Sequence, residues 1–244
     1  VSVPPAGAAI TVAMGYEETG LLPMGTYTAA EVTLSGMPQT ISITGKSANM
    51  SGKLREQKSR TWSEITLGDL VKTIAGEHKI TPRIASQFID FKYDSIAQTD
   101  ESDLHFLGRL SRNHDALFSI KGNSLLFGTR GQGLSLSGLL MPASTVYKGD
   151  VSSWRVTLAD ADEFGSVTAK WRLGGNGAVQ TAKAGDAPPI KALRNIFASQ
   201  AEAKAAAHAK LNEIKRASHR LSLTMPARPQ LSAESQIMLL WFKS

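Results

Sequence analysis

The chain has 244 residues, 42% of them hydrophobic, with a formal net charge of +6 and no cysteine. That apolar content supports a packed core rather than a disordered tail, and the length suits one large domain or two modest ones. The longest apolar run, Ile237 to Phe242, is far short of the ~20 residues a membrane-spanning helix needs. Without cysteine, disulfides, thiolate metal sites and cysteine nucleophiles are all excluded.

The first fifty residues read as strands. In AEVTLSG (30–36) Val32 and Leu34 share one face, and in TISITG (40–45) Ile41 and Ile43 do the same. Gly36-Met37-Pro38-Gln39 supplies turn chemistry between them, so an antiparallel hairpin with one wet face is expected. The basic stretch KLREQKSR (53–60), with Lys53, Arg55, Lys58 and Arg60 around Glu56, reads as a solvated linker or strand edge.

The period then changes. TLGDLVKTIAGEHK (66–79) places Leu67, Leu70, Val71, Ile74 and Ala75 on one helical face. Thr66 is the expected N-cap, with Asp69 at the third position favoured by the dipole. QTDESDLHFLGRLSRNHD (98–115) predicts a second helix capped by Asp100, with Asp103 in its first turn and Leu104, Phe106, Leu107 and Leu110 along one arc. Glu101, His105 and Arg109 form an expected exposed row, and Arg112 and His114 are expected as cations at the C-terminal end. ALFSIKGNSLLFG (116–128) reads as a hairpin.

TRGQGLSLSGLLMPAS (129–144) reads as a connector. Trp154, Val156 and Leu158 alternate, as do Val167, Ala169, Trp171 and Leu173, which predicts half-buried strands. Residues 174–189 read as a loop or a loosely held hairpin. Ser199 and Glu202 make an S-x-x-E capping box ahead of AEAKAAAHAKLNEIKR. The stripe Ala203, Ala207, Leu211 and Ile214 predicts a helix lying close on a flat surface. HRLSLTMPARP and QIMLLWF complete the chain as strands. The fold expected is mainly β with an α+β insert. Its parts are β-barrel-like segments over 1–54 and 151–244, a helix–helix–hairpin insert over 55–130, and a connector over 131–150. The last segment carries a helix at about 199–217. Because the chain opens without Met and stops inside a strand-like run, a piece of a longer protein is expected.

Motifs for chemistry fail on spacing. No two of His78, His105, His114, His208 and His219 stand at the i, i+4 spacing of a helical metal pair. GLSLSG (133–138) has Ser137 where a nucleophile elbow needs Gly. Gly45-Lys46-Ser47 has Thr40 where a phosphate-binding loop needs its first Gly. Asp103 and His105, about 200° apart on a helix, cannot form an acid/base dyad. Glu101 and Asp103 are the only carboxylate pair that tempts a hydrolytic reading. No catalytic, metal or cofactor-binding residue is therefore assigned.

Three blocks carry a family resemblance: MGTYTAAEVTLSGMPQTISITGKSANM (24–50), LREQKSRTWSEITLGDLVKTIAGEH (54–78) and QTDESDLHFLGRLSRNHDALFSIKGNSLLFG (98–128). In this order, and with the later SQAEAKAAAHAKLNEIKRASHRLSLTMPARPQL, they resemble the phage late control gene D proteins, the baseplate hubs of contractile-tailed phages and prophages. The resemblance covers about residues 10–235. It implies a non-enzymatic structural protein of the virion, assembled in the host cytoplasm and required for tail assembly. It further implies a homotrimer joining the tail tube protein to the central spike protein, without cofactor or specific nucleic-acid binding. The hub part of type VI secretion spikes is a related architecture, and a tail-associated peptidoglycan lysin is the alternative from another class.

Overall fold

A computed structural model describes residues 3–47, 52–121, 123–133, 140–158, 164–173, 177–231 and 233–241. The chain opens with a three-stranded antiparallel meander: β1 (Ala9–Tyr16), β2 (Gly20–Ser35) and β3 (Thr40–Ser47). The expected turn at Gly36–Gln39 joins β2 to β3, pairing Val32 with Ile43 and Leu34 with Ile41 on one face.

A short 3-10 helix (Gly52–Arg55) leads into the first closed core. Its elements are β4 (Gln57–Thr66), α1 (Leu67–Glu77), β5 (Thr81–Ile84), α2 (Ser86–Ile89), β6 (Lys92–Ser102), α3 (Asp103–Asn113), β7 (Ala116–Lys121) and β8 (Ser124–Thr129). β4 pairs antiparallel with β6, and β8 lies between β5 and β7. The helical period of α1 puts Leu67, Leu70, Val71, Ile74 and Ala75 inside, as their spacing predicts. Phe106, Leu107 and Leu110 of α3 meet them, along with Leu125 and Phe127 of β8, all fully buried. Each such large side chain stabilises the fold by roughly 1.5–3 kcal/mol. Thr66 caps α1, its Oγ1 accepting the Asp69 N–H at 3.1 Å. Gly68 is forced by contact, since a Cβ there would sit 2.9 Å from the Ile89 carbonyl oxygen.

This region is richer in strands than its sequence pattern predicts. β4, β5 and β6 lack clean alternation because their side chains pair with charged partners or lie between covering helices. Residues 57–60 of the basic stretch belong to β4 and are not a linker. The second helix also starts later than expected. β6 runs through Ser102, whose Oγ accepts the His105 N–H at 3.2 Å and caps α3. Asp100, the expected cap, instead has a left-handed backbone (φ 46°) at an irregularity of the β4–β6 ladder, and accepts the Ser59 hydroxyl at 2.8 Å.

The rest of the chain runs β9 (Ser144–Tyr147), a 3-10 turn (Lys148–Asp150), β10 (Ser153–Leu158), β11 (Ser166–Arg172), β12 (Val179–Ala184), β13 (Ile190–Phe197), α4 (Gln200–Ala217), β14 (His219–Thr224) and β15 (Ile237–Leu240). β11 is the centre of a second sheet, antiparallel to β12 and parallel to β13. Within the 174–189 region, residues 179–184 are thus a strand paired with β11, and β13 is a strand its own pattern did not announce. α4 lies on this sheet as expected. Ala203, Ala207 and Leu211 pack on Val167, Ala169, Ala182 and Ala184 to form a second, shallow core. Ser199 caps it, accepting the Glu202 N–H at 3.3 Å while its hydroxyl donates to the Glu202 carboxylate at 3.2 Å.

Among the described residues β10 pairs only with β14, and β9 only with β15 in a two-stranded parallel ribbon. Residues 144–150 of the expected connector are thus a strand and a 3-10 turn. No sheet closes into a barrel among the described residues. The serine-rich stretch at 134–138 and the end of the TGKSAN stretch at 48–49 lie outside the described residues.

Candidate functional site

The densest polar constellation surrounds Asp103, whose side chain is fully buried at the start of α3. Its Oδ2 accepts from Lys58 Nζ at 2.6 Å and lies 2.8 Å from His78 Nε2; its Oδ1 accepts from Arg60 Nη2 at 2.8 Å and Gln98 Nε2 at 2.9 Å. Lys58 and Arg60 also grip Glu77, at 3.0 and 2.6 Å. β-Period spacing explains the geometry, because residues 58 and 60 fall on one side of β4 and face the last turn of α1 and the first of α3. The expected basic stretch is therefore an internal ion-pair comb.

Burial pushes the Asp103 carboxyl up, but hydrogen bonds from Lys58, His78 and Gln98 and the charge of Arg60 outweigh it and hold the group below the usual carboxylate range. Glu77 is held low in the same way: burial opposes, while the bonds from Arg60 and Lys58 prevail. Burial lowers Lys58, yet its bonds to Asp103 and Glu77 leave it raised above the ordinary lysine value. Glu77, His78 and Asp103 present ligand atoms within 4.8 Å of one another. Two cationic side chains already occupy those carboxylates, so the arrangement serves as an ion-pair node that ties β4, α1, β6 and α3 together.

Glu101 and Asp103 are held by different partners. Glu101 receives Arg109 through Nε at 3.1 Å and Nη2 at 2.8 Å, and Arg109 also donates to the Ala97 carbonyl. Neither carboxylate opens into a shared cleft for a general acid and base. Of the expected exposed row, His105 is exposed, whereas Glu101 lies at the end of β6 and is half-buried with Arg109. His114 needs correction too. It caps α3 but lies in an aromatic box of Phe88, Phe91 and Tyr93, and burial lowers its pKa to about 4. Its Nε2 and the Tyr93 hydroxyl share a hydrogen bond at 2.5 Å; that phenol is itself pushed up by burial and keeps its proton. His114 is thus neutral near pH 7 and is no cation for the helix dipole.

The other conspicuous feature is apolar surface left open by the small sheets. On the β10–β14 ribbon Trp154, Val156 and Leu158 share a face with Leu221 and Leu223, and Leu158 is 70% exposed. The expected half-buried strand is exposed along its length here, with no core cluster packed on it among the described residues. On the meander Leu34 is 60% exposed beside Ile41 and Ile43. Two-stranded ribbons are marginal alone, and parallel pairs such as β9–β15 normally lie buried. Surfaces of this kind mark contact with other chains.

The profile of the family described as phage tail baseplate hub (GPD) matches residues 35–240. The chain belongs to this family. It is 28% identical to a probable baseplate hub protein of Escherichia phage 186, an alignment that takes in all of this chain and 73% of that protein. It is 34% identical to a probable baseplate hub protein of Escherichia phage P2, over 70% of this chain and 44% of the relative. Among solved structures, a tail protein from Neisseria meningitidis superposes with a TM-score of 0.65 at 13% identity, covering 89% of this chain and 70% of that one. The 43 kDa tail protein of prophage MuSo2 from Shewanella oneidensis gives 0.62 at 15% identity, covering 95% and 79%. At such identities the likeness concerns the fold. The family makes the chain a structural tail protein of the baseplate hub, located in the virion tail. It also accounts for a molecule whose charged cluster is a brace and whose apolar surface lies on sheet faces.

Proposed function

We propose that the chain works as a passive ring subunit: three copies assemble side by side, join the tail tube to the central spike, and catalyse no reaction. The observation that supports this reading is the contrast between two closed cores and the uncovered apolar faces of the meander and the β10–β14 ribbon. A protein designed to act alone would leave less apolar sheet surface in water. Side-by-side copies can cover such faces, and a closed ring leaves no contact face unused. Assembly in the host cytoplasm before virion release follows from this role. Glu101 and Asp103, engaged by Arg109 and by the Lys58–Arg60 comb, supply no free acid/base pair for peptidoglycan cleavage.

Sedimentation velocity of the full-length protein at micromolar concentration tests the ring, with a trimer as the expected species. A protein that stays monomeric even with its spike partner present would overturn it. A turbidity assay on bacterial cell walls should show no clearing. Clearing that is lost in Glu101→Gln at an unchanged melting temperature would sink the non-enzymatic reading.

A further inference from the structure

A cleft of about 290 Å³ opens where the end of α3, the middle of β13 and one face of α4 meet. Its floor is Leu193, Phe197 and Ala206, and its walls carry Arg112 and Arg194. Lys210 is also present but is neutralised by Glu213 at 2.7 Å. Neither arginine makes a side-chain hydrogen bond or ion pair among the described residues, and both are exposed. The position of Arg194 has a local cause. In the β11–β13 ladder Thr168 pairs with Ala192 and Lys170 with Ile196, so residues 193–195 all stand opposite Ala169. Such a bulge re-aims side chains, and it brings Leu193, Arg194 and Asn195 together to the cleft. Two unmatched guanidiniums over an apolar floor fit a short segment that bears carboxylates beside aliphatic side chains.

The chain itself carries such a segment. The β1–β2 hairpin turns through Glu17 and Glu18, both exposed and without a cationic partner among the described residues, and continues into Leu21 (70% exposed) and Leu22. Within one copy this tip is held elsewhere. The Tyr16 hydroxyl donates to the Ala227 carbonyl at 3.0 Å, and the tip lines a separate cavity with residues 226–230. It contributes nothing to the arginine cleft of its own chain.

We propose that the Glu17–Glu18 hairpin tip of one copy docks into the Arg112–Arg194 cleft of a second copy. The proposal rests on the ring reading and names one of its contacts. Because the two patches differ, the contact is head-to-tail, the type that closes into rings.

Reciprocal charge reversal in the full-length protein tests it, read by sedimentation velocity at physiological salt. Glu17→Arg with Glu18→Arg, and separately Arg112→Glu with Arg194→Glu, should each raise the dissociation constant of the assembly roughly tenfold or more. Combining all four should restore it to within about threefold of wild type. These side chains are exposed and unpaired, so melting temperatures should stay near that of wild type. Should wild type assemble while either one-sided pair associates normally, the contact is wrong and the ring stands. Failure of the fourfold variant to recover would likewise overturn the pairing. Normal assembly of the arginine variant with loss of spike binding would assign the cleft to another protein and overturn the second copy as occupant. A monomeric wild type overturns both readings.

Discussion

His114 shows how a single position can change character between sequence and structure. At the end of a helix a histidine reads as a cation, but Phe88, Phe91 and Tyr93 surround this one and its Nε2 is engaged in a hydrogen bond with the Tyr93 hydroxyl. In the unfolded chain the ring titrates near the ordinary histidine value of 6.5; in the folded protein burial lowers this to about 4. Between those values the unfolded chain takes up a proton that the folded protein refuses, so stability declines as pH falls from 6.5 towards 4, by roughly 3 kcal/mol in all. Asp103 and Glu77, held below the ordinary carboxylate range, add a second loss at lower pH, as acid reaches their salt bridges. His114→Phe should flatten the melting-temperature profile between pH 6.5 and 4. At pH 7 it should cost about 1–3 kcal/mol, because the buried Tyr93 hydroxyl loses its hydrogen-bond partner. An unchanged slope would show that another group sets the acid sensitivity.

Among the elements, α1 and α4 were legible and α3 was legible except for its start. Thr66 and Ser199 cap where they were expected, because each stands just ahead of the helical period it caps. At α3 Asp100 was expected, but the β4–β6 ladder extends to the Gln57–Ser102 pair and moves the cap to Ser102. α4 illustrates packing by small residues. Ala207 is fully buried against a sheet floor that is itself mostly alanine and valine, so helix and sheet approach closely. Enlarging it leaves no space to fill. Ala207→Leu should destabilise by about 1–3 kcal/mol through overpacking, read as a lower urea midpoint at an unchanged slope. A neutral result would mean that the α4 seam is loose. The strands β5, β6 and β13 escaped notice for a shared reason. Charged partners, covering helices or a bulge interrupt the alternation that identifies a strand, so their polarity reports the local neighbour instead of the period.

For the whole molecule the telling property is where burial stops. Two cores are closed, one around α1 and α3 and one beneath α4, whereas the meander and the β10–β14 and β9–β15 ribbons leave apolar faces in water. Leu158 lies on such a face, so changing it should affect assembly and not folding. Leu158→Glu should shift monomer stability by less than about 0.5 kcal/mol while weakening association of the full-length protein in sedimentation. A large fall in melting temperature with unaltered association would show that the face is covered from within the chain. The hub assignment was legible from the blocks at 54–78 and 98–128, and the family match over residues 35–240 bears it out.

The sequence by itself determined the β-rich class, three of the helices, two of the caps and the family, because these depend on local period, local capping chemistry and contiguous blocks. The tertiary structure alone decided that Lys58 and Arg60 brace Asp103 from 43 to 45 positions away, that Ser102 caps α3, and that a bulge brings Arg194 into the same cleft as Arg112. It also decided which alternating faces remain open. Alternation states that a strand has an apolar side, but only the packing of the whole chain shows whether anything within it covers that side.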